Sequence, residues 1–158
     1  MKGAAQSTEI SNNRKARRDF HIEETYECGI ALRGTEVKSI RAGKINLGDA
    51  FARVDPKTGE IFLHGCDIQP YEQASFEQHE AKRARKLLLH KREIEKLRAE
   101  TAERGKAIVA LRAYWKNRKV KIEIGVGKGK KAHDKREDVK KREANREAER
   151  AMRSFNKR

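Results

Sequence analysis

In this 158-residue chain the residues best suited to chemistry are cations and one well-placed carboxylate, rather than nucleophiles or metal ligands. Asn13-Arg14-Lys15-Ala16-Arg17-Arg18 sets four cations ahead of the first expected strand. Arginine presents a planar fork that grips phosphate through two parallel hydrogen bonds, and Asn13 could read a base edge or pin the backbone. Lys38, Arg41 and Lys44 extend this positive surface. Glu27 falls on the polar side of an alternating segment, and Gly29 beside it leaves room for close approach. A carboxylate repels phosphate but accepts hydrogen bonds from base N–H groups or ribose hydroxyls. It would therefore add specificity where the cations add affinity. Leu87, Leu88 and Leu89 cannot all face one core, which frees one of them for a partner. Alternation sends one of Tyr114 and Trp115 inward, and Trp115, following Val109, Leu111 and Ala113, is expected in the core.

Enzyme patterns are missing. His21, His64, His79, His90 and His133 show no ligand spacing, and neither do Cys28 and Cys66, so no metal and no cofactor are expected. No serine sits in a nucleophile elbow, and Asp19, Glu23 and Glu24 lack the spacing of a metal-dependent nuclease. Gly125-Val126-Gly127-Lys128-Gly129 resembles a phosphate loop only loosely and lacks the Walker spacing. The chain is not expected to be an enzyme.

With 39 Lys+Arg against 24 Asp+Glu, the formal net charge of +15 opposes compaction unless a polyanion offsets it, which favours nucleic acid as partner. The last 31 residues hold 13 Lys+Arg and 6 Asp+Glu, a net of +7, leaving +8 for the rest. Apart from Val139, Met152 and Phe155 this tail has almost no large apolar side chain, so it is expected to be disordered when free. Ala144, Ala148, Ala151, Met152 and Phe155 share one helical face, so it should become helical on a partner. Gly125, Gly127 and Gly129 are read as the hinge. No apolar run approaches the roughly 20 residues of a membrane span, and Met1 to Asn12 lacks the apolar middle of a secretory signal, so a cytoplasmic location is expected.

The elements that must position these residues follow from periodicity. Ile22, Tyr26, Cys28, Ile30 and Leu32 alternate with Glu23, Thr25, Glu27 and Gly29, predicting a half-buried strand. Thr35 is placed to cap a short helix over 36–41. Residues 50–54 and 60–63 form a hairpin across Asp55-Pro56-Lys57-Thr58-Gly59, residues 91–104 a helix stopped by Gly105, and residues 107–115 and 119–126 a second hairpin. About six short strands with a helix inserted late predict a mainly β body, a small closed or partly closed barrel. The organisation expected is a flexible N-terminus over 1–12, a body over 13–126 and a basic tail over 127–158.

Five blocks carry a resemblance: Asn13-Arg-Lys-Ala-Arg-Arg-Asp-Phe20, Ile22-Glu-Glu-Thr-Tyr-Glu-Cys-Gly29, Gly34-Thr-Glu-Val-Lys-Ser-Ile-Arg-Ala-Gly43, Arg85-Lys-Leu-Leu-Leu89 and Gly127-Lys-Gly-Lys-Lys-Ala-His-Asp-Lys-Arg136. In this order, over nearly the whole chain, they closely resemble the SsrA-binding protein (small protein B) family of bacteria. The resemblance implies an oligonucleotide-binding-type (OB-like) β-barrel with flanking helices that binds transfer-messenger RNA in trans-translation. In that process a stalled ribosome is rescued and its incomplete product is tagged for proteolysis. By position, Asn13, Glu27 and Leu88 match family residues that support binding to the tRNA-like part of that RNA. With the cations Arg14, Lys15, Arg17, Lys38, Arg41 and Lys44 they make up the expected RNA-binding set. Asp134, Lys135 and Arg136 match a tail motif required on the ribosome, accompanied by Lys128, Lys130, Lys131 and His133, and Met152 falls in a second tail region. Arg18 stands where the family commonly carries His. The implied partners are alanyl-charged transfer-messenger RNA with elongation factor Tu, and the ribosome, whose small-subunit decoding centre and empty mRNA channel would receive the tail. The same basicity would suit a structural ribosomal or ribosome-assembly protein binding rRNA.

Overall fold

Alternation along two long, paired strands turns Cys28 and Ile30 of one and Ile122, Ile124 and Val126 of the other toward a common core, around which the sheet curls. The computed structural model describes residues 7–74 and 78–157. The elements are β1 (Ser7–Asn12), α1 (Arg14–Asp19), β2 (Phe20–Ile30), α2 (Gly34–Arg41), β3 (Ile45–Asn46), β4 (Phe51–Val54), β5 (Ile61–His64), β6 (Asp67–Ile68), β7 (Arg85–Leu88), α3 (Lys91–Thr101), β8 (Lys106–Lys116), β9 (Lys119–Gly129) and α4 (Ala132–Asn156). Strands β8, β4, β5, β7, β2 and β9 follow one another, and the β8–β9 pairing closes the ring; β1 adds to β8, and β3 pairs with β6 apart. The molecule is thus mainly β with flanking helices. Inside the ring lie Leu63, Leu87, Ile108, Ala110 and Ile122, with Leu97 inserted from α3. A second, smaller cluster outside it joins Ala16 of α1 to Val109 and Leu111, flanked by Phe20 and Ile22.

Several sequence expectations change here. Residues 7–12 of the segment read as a flexible N-terminus form β1, paired with β8 from Ser7↔Lys116 to Asn12↔Arg112; residues 1–6 lie outside the described residues. The basic run ahead of β2 folds as the helix α1. Thr35 does not cap α2: the helix begins at Gly34 after Arg33, whose N–H donates to Glu36 Oε1 at 3.2 Å, while Thr35 Oγ1 meets His79 Nδ1 at 2.9 Å. Helix α3 ends at Thr101 rather than 104.

The glycines read as a hinge are strand residues, since β9 runs on through Gly129. A Cβ on Gly127 would stand 1.9 Å from the carbonyl oxygen of His21, and one on Gly125 would lie 2.9 Å from both Ile22 and Leu111 side chains. These positions are glycine because β2 and the second cluster press against β9 there. The body therefore extends to 129 and Lys128 belongs to it, not to the tail. Trp115 does pack against the main core, though by another route than simple alternation. A bulge between Ala110 and Arg112 shifts the register, so Val109 and Leu111 face α1 while Ala113 and Trp115 turn inward.

Candidate nucleic-acid interface

The middle of β2 carries the first part of the site. Glu27 projects from the outer face, where Lys116 Nζ donates to its Oε1 and Oε2 at 3.1 and 3.2 Å, and the Tyr114 hydroxyl donates to Oε2. The Tyr114 hydrogen bond, more than burial can oppose and reinforced by the Lys116 and Lys121 charges, holds the Glu27 carboxyl below the usual carboxylate range. Burial and the same carboxylate push the Tyr114 phenol up, so it stays a donor. Tyr114 is only 2% exposed and the Arg112 guanidinium stacks 4.5 Å from its ring centre. Glu27 is thus an anchored anion with free lone pairs facing out, its side chain 40% exposed.

Next to it, the Gly29↔Leu88 pair of β2 and β7 lays the Leu88 side chain across the glycine, where a Cβ would come 3.2 Å from Leu88 Cβ. Leu87 is 1% exposed and Leu88 52%, so of the leucine triplet Leu88 is the one offered outward. Glu27, Leu88, Lys86, Lys91 and Lys121 line one groove of about 610 Å³.

Asn13 is not part of such a surface. It is 4% exposed and caps α1: its Oδ1 accepts from the Ala16 N–H at 3.1 Å, and its Nδ2 donates to Leu47 O at 2.7 Å and Ala110 O at 2.8 Å. All three bonds go to the protein's own backbone. What it pins is α1, which presents Arg14, Lys15 and Arg17 on the surface. Lys15 pairs with Asp49 at 3.0 Å and Arg17 with Glu123 at 3.6 Å, both exposed enough to exchange carboxylate for phosphate. Lys38 lies 5.4 Å from the centre of the Tyr71 ring, and Lys44 pairs with Glu72 at 3.3 Å. Arg41 ends α2 exposed.

The tail leaves the body through a clasp of charges. Lys130 N–H donates to Asp19 O at 2.7 Å, and its nearly buried Nζ pairs with Asp138. Lys135 reaches Asp19 at 3.4 Å, and His21 lies 3.8 Å from Asp134. Lys131 and His133 sit exposed at the start of α4, His133 facing Glu137 at 3.2 Å, and Arg136 is exposed beside them. Beyond Asp138 every described residue of α4 is exposed, Met152 at 71%.

The family model described as SmpB protein matches residues 10–154. The chain belongs to the SmpB family. It is 57% identical over 148 residues to the SsrA-binding protein of Geobacillus sp. (strain WCH70), covering 94% of each chain. It is 52% identical over 148 residues to that of Bacillus subtilis (strain 168), again covering 94% of each. A solved structure described as "tmRNA-SmpB: a journey to the center of the bacterial ribosome" superposes with a TM-score of 0.64 at 46% identity, covering 77% of this chain and 85% of that one.

Within this SmpB-family fold, Glu27 and Leu88 stand in one groove, while Asn13 serves α1 from behind. Nothing local connects Tyr114, Lys116 and Lys121 to Glu27, because they stand roughly ninety residues from it and only the pairing of β2 with β9 and of β9 with β8 brings them near. Arg85, a basic residue with no local signal of burial, is 0% exposed and pairs with buried Glu36 of α2. No group of three or more His, Cys, Asp or Glu residues placed to hold a metal occurs among the described residues, and no described helix is long and apolar enough to cross a membrane.

Proposed function

We propose that this chain is the RNA-binding adaptor of trans-translation. It binds transfer-messenger RNA and carries it to stalled ribosomes, so that the nascent peptide is tagged for degradation and the ribosome is released. The observation that carries this reading is the Glu27–Leu88 groove, an ionised acceptor beside an exposed leucine with Lys86, Lys91 and Lys121 around them. Its lysines hold backbone phosphates without regard to sequence, whereas Glu27 accepts from a base N–H or a ribose hydroxyl. An RNA that brings phosphate to that point meets a carboxylate and is rejected. Leu88 covers the apolar face of the sugar or base that Glu27 selects. Arg14, Lys15 and Arg17 supply further phosphate contacts, with Asn13 acting through the placement of α1, and Lys38, Arg41 and Lys44 extend the basic surface. The ring of strands is compatible with an OB-like barrel, and the names of the relatives support the partners.

The tail serves the ribosome in this reading. Lys130, Asp134, Lys135 and Asp138 root α4 on the body, and the helix beyond Lys140, exposed at every described residue, gains lasting order only against an RNA wall. It enters the decoding centre and the empty mRNA channel, with Lys131 and His133 near the first and Met152 deep in the second. Elongation factor Tu accompanies the charged RNA, the setting is the cytoplasm, and the chain itself does no catalysis.

The test separates the two halves. Glu27→Gln weakens binding to transfer-messenger RNA in a filter titration by roughly 10- to 100-fold, the worth of a hydrogen bond to a charged acceptor. Truncation after Lys140 keeps the clasp, leaves that affinity intact and abolishes peptide tagging on stalled ribosomes. An unchanged affinity for the first variant, or equal loss of both activities in the second, would overturn this division.

A further inference from the structure

The body exposes two large hydrophobic side chains among its described residues, Phe51 at 38% and Leu88 at 52%; the other three, Val139, Met152 and Phe155, are on α4. Both belong to one face. The register pairs Phe51↔His64 and Arg53↔Phe62 across β4 and β5, Phe62↔Lys86 across β5 and β7, and Gly29↔Leu88 across β7 and β2. Because side chains alternate, Ala52, Ile61, Leu63 and Leu87 fill the core, and Phe51, Arg53, Phe62, His64, Lys86 and Leu88 all stand outside. The Phe51 and His64 rings are stacked, centres 5.3 Å apart and planes at 21°. The Arg53 guanidinium lies 5.7 Å from the Phe51 ring centre, and no carboxylate pairs with Arg53 among the described residues.

A cross-strand aromatic pair strengthens a hairpin, but that purpose does not require an exposed ring beside an unpaired guanidinium. A flat, exposed ring with cations around it matches a nucleobase attached to phosphate. Lys86 and Leu88 line the Glu27 groove as well as this face, so the two surfaces are continuous. From β2 to β4 is three strand spacings, roughly 14 Å. On the other side, Phe51 and Arg53 border a second groove, of about 640 Å³, that they share with Lys15 of α1 and Arg98 of α3.

We propose that the outer face of β4, β5 and β7 is a stacking platform on which an unpaired nucleotide of the RNA held in the Glu27–Leu88 groove lies against Phe51 and His64, its phosphate on Arg53. This links the groove to the cations of α1 in one path, and it rests on the reading of that groove as the transfer-messenger RNA site. The occupant is the same RNA rather than a ribosomal one, because the platform continues the groove without a break.

The experiment titrates full-length transfer-messenger RNA with the full chain at several salt concentrations. Phe51→Ala weakens binding about 5- to 100-fold, the loss expected for one base stack, with the salt slope unchanged. Phe51→Trp restores it, and Arg53→Gln lowers the log–log slope by about 0.7 to 0.9. Thermal melting shows whether each variant is folded, and Phe51→Trp keeps a ring in place if alanine loosens the hairpin. Glu27→Gln in parallel tells the two readings apart. If it weakens binding while Phe51→Ala and Arg53→Gln do not, the platform is wrong and the groove stands; if none of them matters, both fail. Loss of ribosome engagement with RNA affinity unchanged would assign the face to ribosomal RNA and likewise overturn the proposal.

Discussion

Replacing Asn13 separates a scaffold role from RNA contact. Asn13→Ala removes three hydrogen bonds at once: the cap on the Ala16 N–H and the two donated to Leu47 O and Ala110 O. Losing the helix cap costs about 1 kcal/mol. The two buried carbonyl contacts add about 1 kcal/mol each, since no water reaches them easily in a site only 4% exposed. The sum is about 3 kcal/mol, which lowers Tm by roughly 10 °C for a body of this size. Asn13→Asp keeps the cap but turns a donor into an anion facing two carbonyl oxygens, so it should be at least as destabilising at neutral pH. Differential scanning calorimetry of both variants, with RNA titration at a temperature where each is folded, makes the comparison. The expected result is lower stability with affinity within a few-fold of the parent. An Asn13→Ala protein that melts normally but fails to bind RNA would refute the reasoning and return Asn13 to the interface.

Three further outcomes follow from the packing. Gly127→Ala should destabilise the body by about 3 kcal/mol or unfold it, because its Cβ would meet the His21 carbonyl, whereas Gly129→Ala, with its nearest neighbour at 4.0 Å, should be close to neutral; chemical denaturation of both compares packing with a hinge, which would treat them alike. Burial alone would raise the Glu36 pKa, but hydrogen bonds from Arg83 and Arg85 more than offset it and hold the carboxyl below its ordinary 4.5. A depressed folded value means this stability is complete above the unfolded pKa and lost as pH falls through the folded one, so urea midpoints should hold from neutral down to about pH 5 and drop below it. A flat profile to pH 3 would contradict the pairing. Cys28 and Cys66, 1% and 0% exposed with thiols pushed up to about 12 by burial, should resist thiol reagents in the native protein and react at once in denaturant; fast native labelling of either would contradict the packed ring.

The outward placement of Glu27 was readable, because period two fixes which face a strand residue occupies; three consecutive leucines cannot share a core, but the pattern left open which of them faces out, and only the family resemblance pointed to Leu88. The two hairpins and α3 were readable from turn residues and apolar spacing. Strand β1 was not, since Ser7–Asn12 is an edge strand with little apolar content whose partner lies over a hundred residues away. The hinge reading of Gly125 and Gly127 failed because glycine signals both freedom and close approach, and nothing local tells the two apart.

By itself, then, the sequence determined the charge, the faces and the chemistry of individual side chains: a basic chain with one outward carboxylate, one outward leucine and a tail too polar to bury. These depend on composition and on periods of two or 3.6 residues, which are local. Only the tertiary structure decided which groups meet. It buried Asn13 behind α1, set Tyr114 and Lys116 on Glu27, paired Arg85 with Glu36 and aligned Phe51 with Leu88 on one face. Each of these contacts joins residues far apart in the chain and so depends on packing: the β8–β9 ladder and its bulge set Tyr114 and Lys116 near Glu27, and the pairing of β4, β5, β7 and β2 aligns Phe51 with Leu88.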